Sequence, residues 1–290
     1  MRKLLVFDSH PVQYRVPIWQ QMTAKHPGSV HVVYGTDSSV RGEVDKEFGM
    51  SFKWDVPMMS GYEHTVLNCE KGVPLSGWAS LTGEGVKEII ERMKPDVILM
   101  LGFNYRYDAV AYYTAKRMGI PLWLRCETQD KCFERSKMKS VARSLIYTTL
   151  YKGLNKIFYI GELNKQHYQK NGVSDNKLFP ARYFTVDRFA GMSNEEKMLL
   201  RKTRRKDAGV DDNAIVVGFS GKFIEKKNPK ILFEMQASLA EELRSRIHLY
   251  FMGSGELERE LRALASEAER KYGTKTYFSG FVNQTQLPAH

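Results

Sequence analysis

The chain has 290 residues, 42% hydrophobic and 27% charged, an ordinary globular composition with enough apolar material for one large or two medium cores. No apolar stretch approaches the roughly 18 residues needed to cross a bilayer, and Cys69, Cys126 and Cys132 have no CxxC spacing, which excludes a disulfide framework or a zinc site and points to a reducing, cytoplasmic setting. The formal charge of +11 comes without a basic tail and without a recognisable nucleic-acid module, so it does not make the chain a nucleic-acid binder.

Short apolar runs alternate with longer amphipathic segments, as in a parallel sheet wrapped by helices. Leu4 to Phe7 predict a first strand, Pro17 to Lys25 a helix, and Val30 to Tyr34 a second strand. The stretch from Gly42 to Gly77 is rich in Gly, Pro and aromatics and reads as an insert decorating the first domain. Val86 to Met93 are helix-periodic and stop at Lys94-Pro95; Val97 to Leu101 then form a buried strand. Ala109 to Met118 predict a helix capped by Gly119, followed by a strand from Pro121 to Leu124. Between Lys131 and Lys156 seven basic residues and one acid interleave with Met138, Val141, Leu145 and Ile146, a basic amphipathic pattern that suits phosphate, an anionic membrane surface or a solvated helix face. Ile157 to Ile160, a short helix from Leu163 to Lys170 and a strand around Lys177 to Phe179 complete a first domain over 1–188.

Residues 189–213 are highly charged and read as a linker with a short exposed helix. Alternation resumes over 214–290, with strands at Ile215 to Phe219, Ile247 to Met252 and Thr276 to Phe278, and helices at Ile231 to Leu243 and Leu257 to Ala268. Two turns at the carboxyl ends of these strands carry candidate chemistry, because open α/β sheets bind ligands there. In Gly221-Lys222 through Lys227-Asn228 two ammonium groups are available to a diphosphate. In Gly253-Ser254-Gly255-Glu256 the glycines let backbone amides approach a ligand beside a helix N-terminus.

The ordered set of Gly221-Lys222-Phe223, Lys227-Asn228, Gly253-Ser254-Gly255 and Phe278-Ser279-Gly280-Phe281-Val282 resembles the donor domain of retaining family 4 glycosyltransferases. That resemblance implies an α/β protein with two Rossmann-like domains of GT-B type, the second incomplete at His290 because the family's later Glu-x7-Glu motif is missing. It implies transfer of a sugar, with retention of configuration, from a nucleotide diphosphate sugar to a glycan or lipid-linked acceptor, as in polysaccharide biosynthesis. No cofactor or metal is implied, the site is cytoplasmic or peripheral at the inner face of a membrane, and Gly221, Lys222, Lys227, Gly253, Gly255 and Glu256 are the donor-binding set. The Glu234 to Glu242 pair lies in the wrong place for the missing motif.

The front of the chain resembles a subgroup with a His-Pro-Val-Gln-Tyr start and a Trp-Asp-Val-Pro insert, here His10 to Tyr14 and Trp54 to Pro57. The resemblance places that first loop at the interdomain cleft. It makes His10 and Gln13 hydrogen-bonding candidates and Tyr14, Trp54 and Tyr62 candidates for stacking on an acceptor sugar, although His10 also suits a loop cap and the aromatics an insert core. Glu127 is the carboxylate to orient or deprotonate an acceptor hydroxyl. Where many members carry a His after the strand ending at Leu101, Asn104 is the polar stand-in. A non-catalytic acceptor-binding fragment is the competing expectation, and an unpaired edge on the strand from Ile215 suggests self-association.

Overall fold

A computed structural model describes residues 2–42, 44–45, 50–67, 75–131 and 135–290. The chain divides into two compact units, residues 1–41 with 57–186 and residues 42–56 with 187–290.

The first unit is built on a seven-stranded parallel sheet in the order β5-β2-β1-β6-β7-β8-β9. Its strands are β1 (Leu4–Asp8), β2 (Val30–Tyr34), β5 (Glu63–Val66), β6 (Val97–Met100), β7 (Leu122–Leu124), β8 (Lys156–Tyr159) and β9 (Leu178–Pro180); β3 (Val44–Asp45) and β4 (Met50–Ser51) form an antiparallel pair within residues 42–56. The central strands lack polar alternation because helices cover both faces, and Leu5, Phe7, Ile98 and Met100 are buried in one cluster. Each such side chain contributes about 1.5–3 kcal/mol relative to exposure.

Helices α1 (Val16–Lys25), α2 (Ser38–Arg41), α3 (Val86–Met93), α4 (Arg106–Arg117), α5 (Lys137–Lys152) and α6 (Glu162–Lys170) make the crossovers. Helix α3 buries Val86, Ile89 and Ile90 at helical spacing and stops where Lys94 turns left-handed at φ 46° ahead of Pro95. Helix α4 starts in a capping box between Tyr105 and Asp108 and ends before Gly119 at φ 68°.

The second unit carries the parallel strands β10 (Ile215–Ser220), β11 (Ile247–Met252) and β12 (Thr276–Gly280), in that order. Its core gathers on Phe251, which stacks with Phe233 at 5.5 Å and Phe278 at 5.2 Å between ring centroids. Helix α7 (Asn194–Asp207) is a full helix of 14 residues opened by the Ser193/Glu196 capping box. The stretch expected as a linker with a short exposed helix is thus largely helix, tied down by buried Arg205, which donates to the carbonyls of Asp211 and Asp212, and by Arg204, whose Nε donates to the Ala289 carbonyl at 3.0 Å.

The helix expected from Ile231 to Leu243 is broken into α8 (Ile231–Ser238) and α9 (Glu241–Arg244), with Leu239 extended at ψ 153°. Glu234 and Glu242 thus lie on separate helices. Helix α10 (Glu258–Tyr272) packs Leu261 and Ala268 inward. Among the described residues β10 pairs only with β11, and Ile215 and Val216 on it are 38% and 36% exposed.

The insert differs most from expectation. Residues 42–56 group with the second unit, where Phe52 lies 4.5 Å and Trp54 6.2 Å from Phe281 between ring centroids. Asn283 Nδ2 donates to the Lys53 carbonyl at 2.7 Å, and the Thr285 hydroxyl donates to Asp55.

Candidate functional site

In the first unit β1 pairs with β2 on one side and β6 on the other, so the chain switches direction of winding at β1. Ligands of open α/β sheets bind outside the carboxyl ends of strands at such a point. There Asp8, the last residue of β1, accepts from Arg15 Nη1 at 2.6 Å, and Arg15 Nη2 lies 3.7 Å from Glu127 Oε1. The Tyr14 hydroxyl donates to Glu127 Oε1 at 3.4 Å, the Tyr183 hydroxyl donates to the same oxygen, and the two rings meet edge to face at 4.9 Å. Arg125 stacks over the Tyr183 ring at 4.1 Å and donates to the Ala181 carbonyl, fixing that tyrosine in turn.

Among the described residues, the contacts of Tyr14, Tyr183 and Arg15 with Glu127 fall on Oε1, and its side chain is 48% exposed. The carboxylate is thus held by Oε1 on a half-exposed side chain that a substrate hydroxyl can approach. Burial pushes the Asp8 carboxyl up to about 6 despite the opposing pull of Arg15. Burial, and then the nearby Arg15 charge, pull His10 down to about 4, so its imidazole is neutral at physiological pH; its Nδ1 lies 2.9 Å from Ser9 Oγ. Burial, with Glu127 and opposed by Arg15, pushes the Tyr14 hydroxyl up.

Asn104 follows β6 with an exposed side chain, and its backbone N–H donates to Asp108 Oδ2 at 2.8 Å. Gln13 is half-buried in the same loop as His10 and Tyr14. Tyr62 is a packing residue: only 8% exposed, its hydroxyl pairs with that of Tyr34 at 2.9 Å and donates to the Met58 carbonyl. Trp54 sits with Phe52 and Phe281 in the second unit. Arg15, Asp8, Arg125 and Tyr183 escaped the sequence reading. Arg15 had a signal, since a cation directly after the His-Pro-Val-Gln-Tyr loop lies at the carboxyl end of a first strand; Tyr183 had none.

In the second unit the three strand-end loops are laced together through their backbones. Gly221 N–H donates to the Met252 carbonyl at 2.9 Å, Gly253 N–H to Gly280 at 2.8 Å, and Phe223 N–H to Ser254 at 2.9 Å. This close approach requires glycine at 253 and 255. A Cβ on Gly253, at φ 144°, would lie 1.9 Å from the Gly221 oxygen, and one on Gly255 would lie 2.6 Å from the Phe223 oxygen. Lys222 is half-buried after β10; Lys227 is exposed at the end of a single turn over Glu225–Lys227 that closes on Asn228 at φ 48°. Lys230 beyond it is engaged by Glu225 at 3.3 Å and Glu260 at 3.0 Å, so acids already occupy it. Glu256 is exposed, two residues before α10 begins.

Residues 201–290 match the family model described as glycosyl transferases group 1. A search of curated proteins with the sequence found no match. Among solved structures, HepE from Anabaena in complex with UDP is similar with a TM-score of 0.65 at 12% identity, covering 100% of this chain and 71% of its own. WaaG, a glycosyltransferase involved in lipopolysaccharide biosynthesis, is similar with a TM-score of 0.58 at 13% identity, covering 99% and 71%. The UDP-GlcNAc 2-epimerase from Neisseria meningitidis bound to UDP-GlcNAc has a TM-score of 0.58 at 14% identity, covering 99% and 74%. These likenesses show the fold, two Rossmann-like domains of GT-B type.

Proposed function

We propose that this chain, whose residues 201–290 match the group 1 glycosyltransferases, moves a sugar from a nucleotide diphosphate sugar to an acceptor hydroxyl with retention at the anomeric carbon. The reading rests on one observation: the Gly221 to Asn228 loop, with Lys222 and Lys227, follows the carboxyl end of β10 inside the matched segment. The bond between the anomeric carbon and the diphosphate oxygen breaks, and its electron pair leaves with the diphosphate. Lys222 and Lys227 stabilise that charge, supported by the backbone amides of Gly255 and Glu256 ahead of α10.

The acceptor oxygen bonds to the same carbon on the face the diphosphate leaves, and Glu127 Oε2 orients the hydroxyl and receives its proton. Tyr14, Tyr183 and Arg15 hold Glu127 by its other oxygen. Neutral His10 and Gln13 supply hydrogen bonds to sugar or phosphate, and Asn104 lines the same strand-end surface. The acceptor is a glycan or a lipid-linked sugar.

HepE binds UDP and UDP-glucose, which makes them the first probes. The test is titration of the 290-residue chain with UDP, then chromatography of its reaction with UDP-glucose and with UDP-N-acetylglucosamine. UDP binding with acceptor-dependent UDP release is expected. The fold also hosts UDP-GlcNAc 2-epimerases, and an epimerised sugar nucleotide without UDP release would assign the chain to that chemistry instead. Glycan binding without nucleotide affinity would make it a non-catalytic acceptor-binding protein.

A further inference from the structure

Helix α5 covers the first unit with one face and leaves the other without a partner among the described residues. Tyr147, Leu150 and Tyr151 turn inward to the core. On the opposite side Met138, Val141, Leu145 and Ile146 are 83%, 60%, 66% and 61% exposed. Their spacing of i, i+3, i+7 and i+8 puts them on one stripe. Exposed apolar residues scattered singly need no explanation, but a continuous stripe marks an interaction surface.

The charges that α5 itself carries beside the stripe all have one sign. Lys137, Lys139 and Lys152 are exposed on α5, none of them in an ion pair among the described residues, and residues 135–156 contain no acid. Lys137 and Lys139 fall on opposite flanks of the stripe, where long side chains can lay their stems along apolar surface and keep their ammonium groups at the polar boundary. Arg143 differs, since it turns inward to Asp130 at 2.7 Å. A second copy of the chain meeting α5 about a two-fold axis would set these lysines against one another with no acid on α5 to relieve them. An anionic lipid surface offers both complements at once, acyl chains for the stripe and phosphates for the lysines. At 16 residues α5 is shorter than a bilayer is thick.

We infer that α5 lies in the interface of an anionic membrane, with Met138, Val141, Leu145 and Ile146 at the acyl boundary and Lys137, Lys139 and Lys152 at the headgroups. The inference is independent of the sugar-transfer reading. Vesicles of phosphatidylcholine and phosphatidylglycerol in a two-to-one ratio, sedimented with the 290-residue chain, test it. Binding is expected to the mixed vesicles, to fall with added salt, and to be weak on phosphatidylcholine alone.

Because the stripe is solvent-exposed, Val141→Asp with Leu145→Asp leaves the circular dichroism and melting unchanged yet lowers vesicle binding tenfold or more. Replacing Lys137, Lys139 and Lys152 by Ala lowers it roughly fivefold for each residue. In a Leu145→Trp variant, tryptophan emission shifts to the blue on mixed vesicles and is quenched by brominated acyl chains. Absence of binding, binding unchanged by the stripe variant, or a stripe variant that instead converts an oligomer to a monomer in sedimentation velocity would each overturn the inference.

Discussion

Arg15 Nη1 lies 2.6 Å from Asp8 Oδ1, joining the end of β1 to the residue before α1 in a pair whose side chains are 14% and 1% exposed. Removing one member of so buried a pair strands the other without compensation. Arg15→Ala is expected to destabilise the first unit by about 3–5 kcal/mol, read from urea unfolding. Arg15→Lys restores only part of that, since it keeps the charge but loses the second contact, Nη2 to Glu127.

Asp8, Asp108 and His10 each contribute to the acid response of the first unit. Asp8 and Asp108 are both pushed up to about 6, chiefly by burial, so the native state holds their protons more tightly than the unfolded chain does. Stability from these two is greatest below their unfolded value of 3.8 and is lost as pH rises toward 6. His10 acts in the opposite sense: held down to about 4, it contributes stability above 6.5 that is lost as pH falls toward 4. Asp108→Asn is therefore expected to flatten the fall in unfolding free energy between pH 4 and 6 by on the order of 3 kcal/mol. His10→Gln should steepen it. Denaturant titrations across that range measure both, and a slope unmoved by either change would contradict these assignments.

The laced loops of the second unit give a sharp contrast between two glycines. Gly253→Ala places a methyl 1.9 Å from the Gly221 oxygen and should cost several kcal/mol, with loss of nucleotide binding. Gly273→Ala, at φ 67° with nothing within 4 Å, should cost only about 1 kcal/mol. Thermal unfolding of the two variants in parallel checks the order, and equal shifts would deny the loop contact its role.

Lys227→Ala is expected to weaken UDP binding roughly tenfold by removing a charge-assisted contact, without changing the melting temperature, because the side chain is exposed. Glu127→Gln should leave UDP affinity unchanged and lower acceptor-dependent turnover about a hundredfold. Calorimetry and UDP release separate the two effects. If Glu127→Gln weakened UDP binding as Lys227→Ala does, the division of roles between the units would fail.

What the sequence made legible was local. Leu4 to Phe7 and Val97 to Met100 are uninterrupted apolar runs, and Ile247 to Met252 is broken only by His248; burial on both faces of a parallel sheet writes strands this way. Lys94-Pro95 and Gly119 marked helix ends because their backbone chemistry stops a helix where it stands. The break at Leu239 has no Pro or Gly to announce it. Tyr62 could be read as a sugar platform or as insert core until Tyr34 was beside it, and Tyr183 joined Glu127 across 56 positions of chain. The loop glycines were recognisable by type, but their reason, the passage of one backbone against another, is a property of three strands together.

The docking of residues 52–55 onto 281–285 has a consequence for synthesis. The partners are separated by about 230 residues, with Lys53 bonded to Asn283 and Asp55 to Thr285. A ribosome adding roughly 5–20 residues per second needs on the order of 10–50 s to travel that distance. Throughout that interval Phe52 and Trp54 leave the exit tunnel with no aromatic surface to receive them, while the strands of the first unit can already pair. The strands of the first unit are therefore all synthesised before the contacts of residues 52–55 with 281–285 can form, and until Phe281 emerges Phe52 and Trp54 have one another as aromatic neighbours.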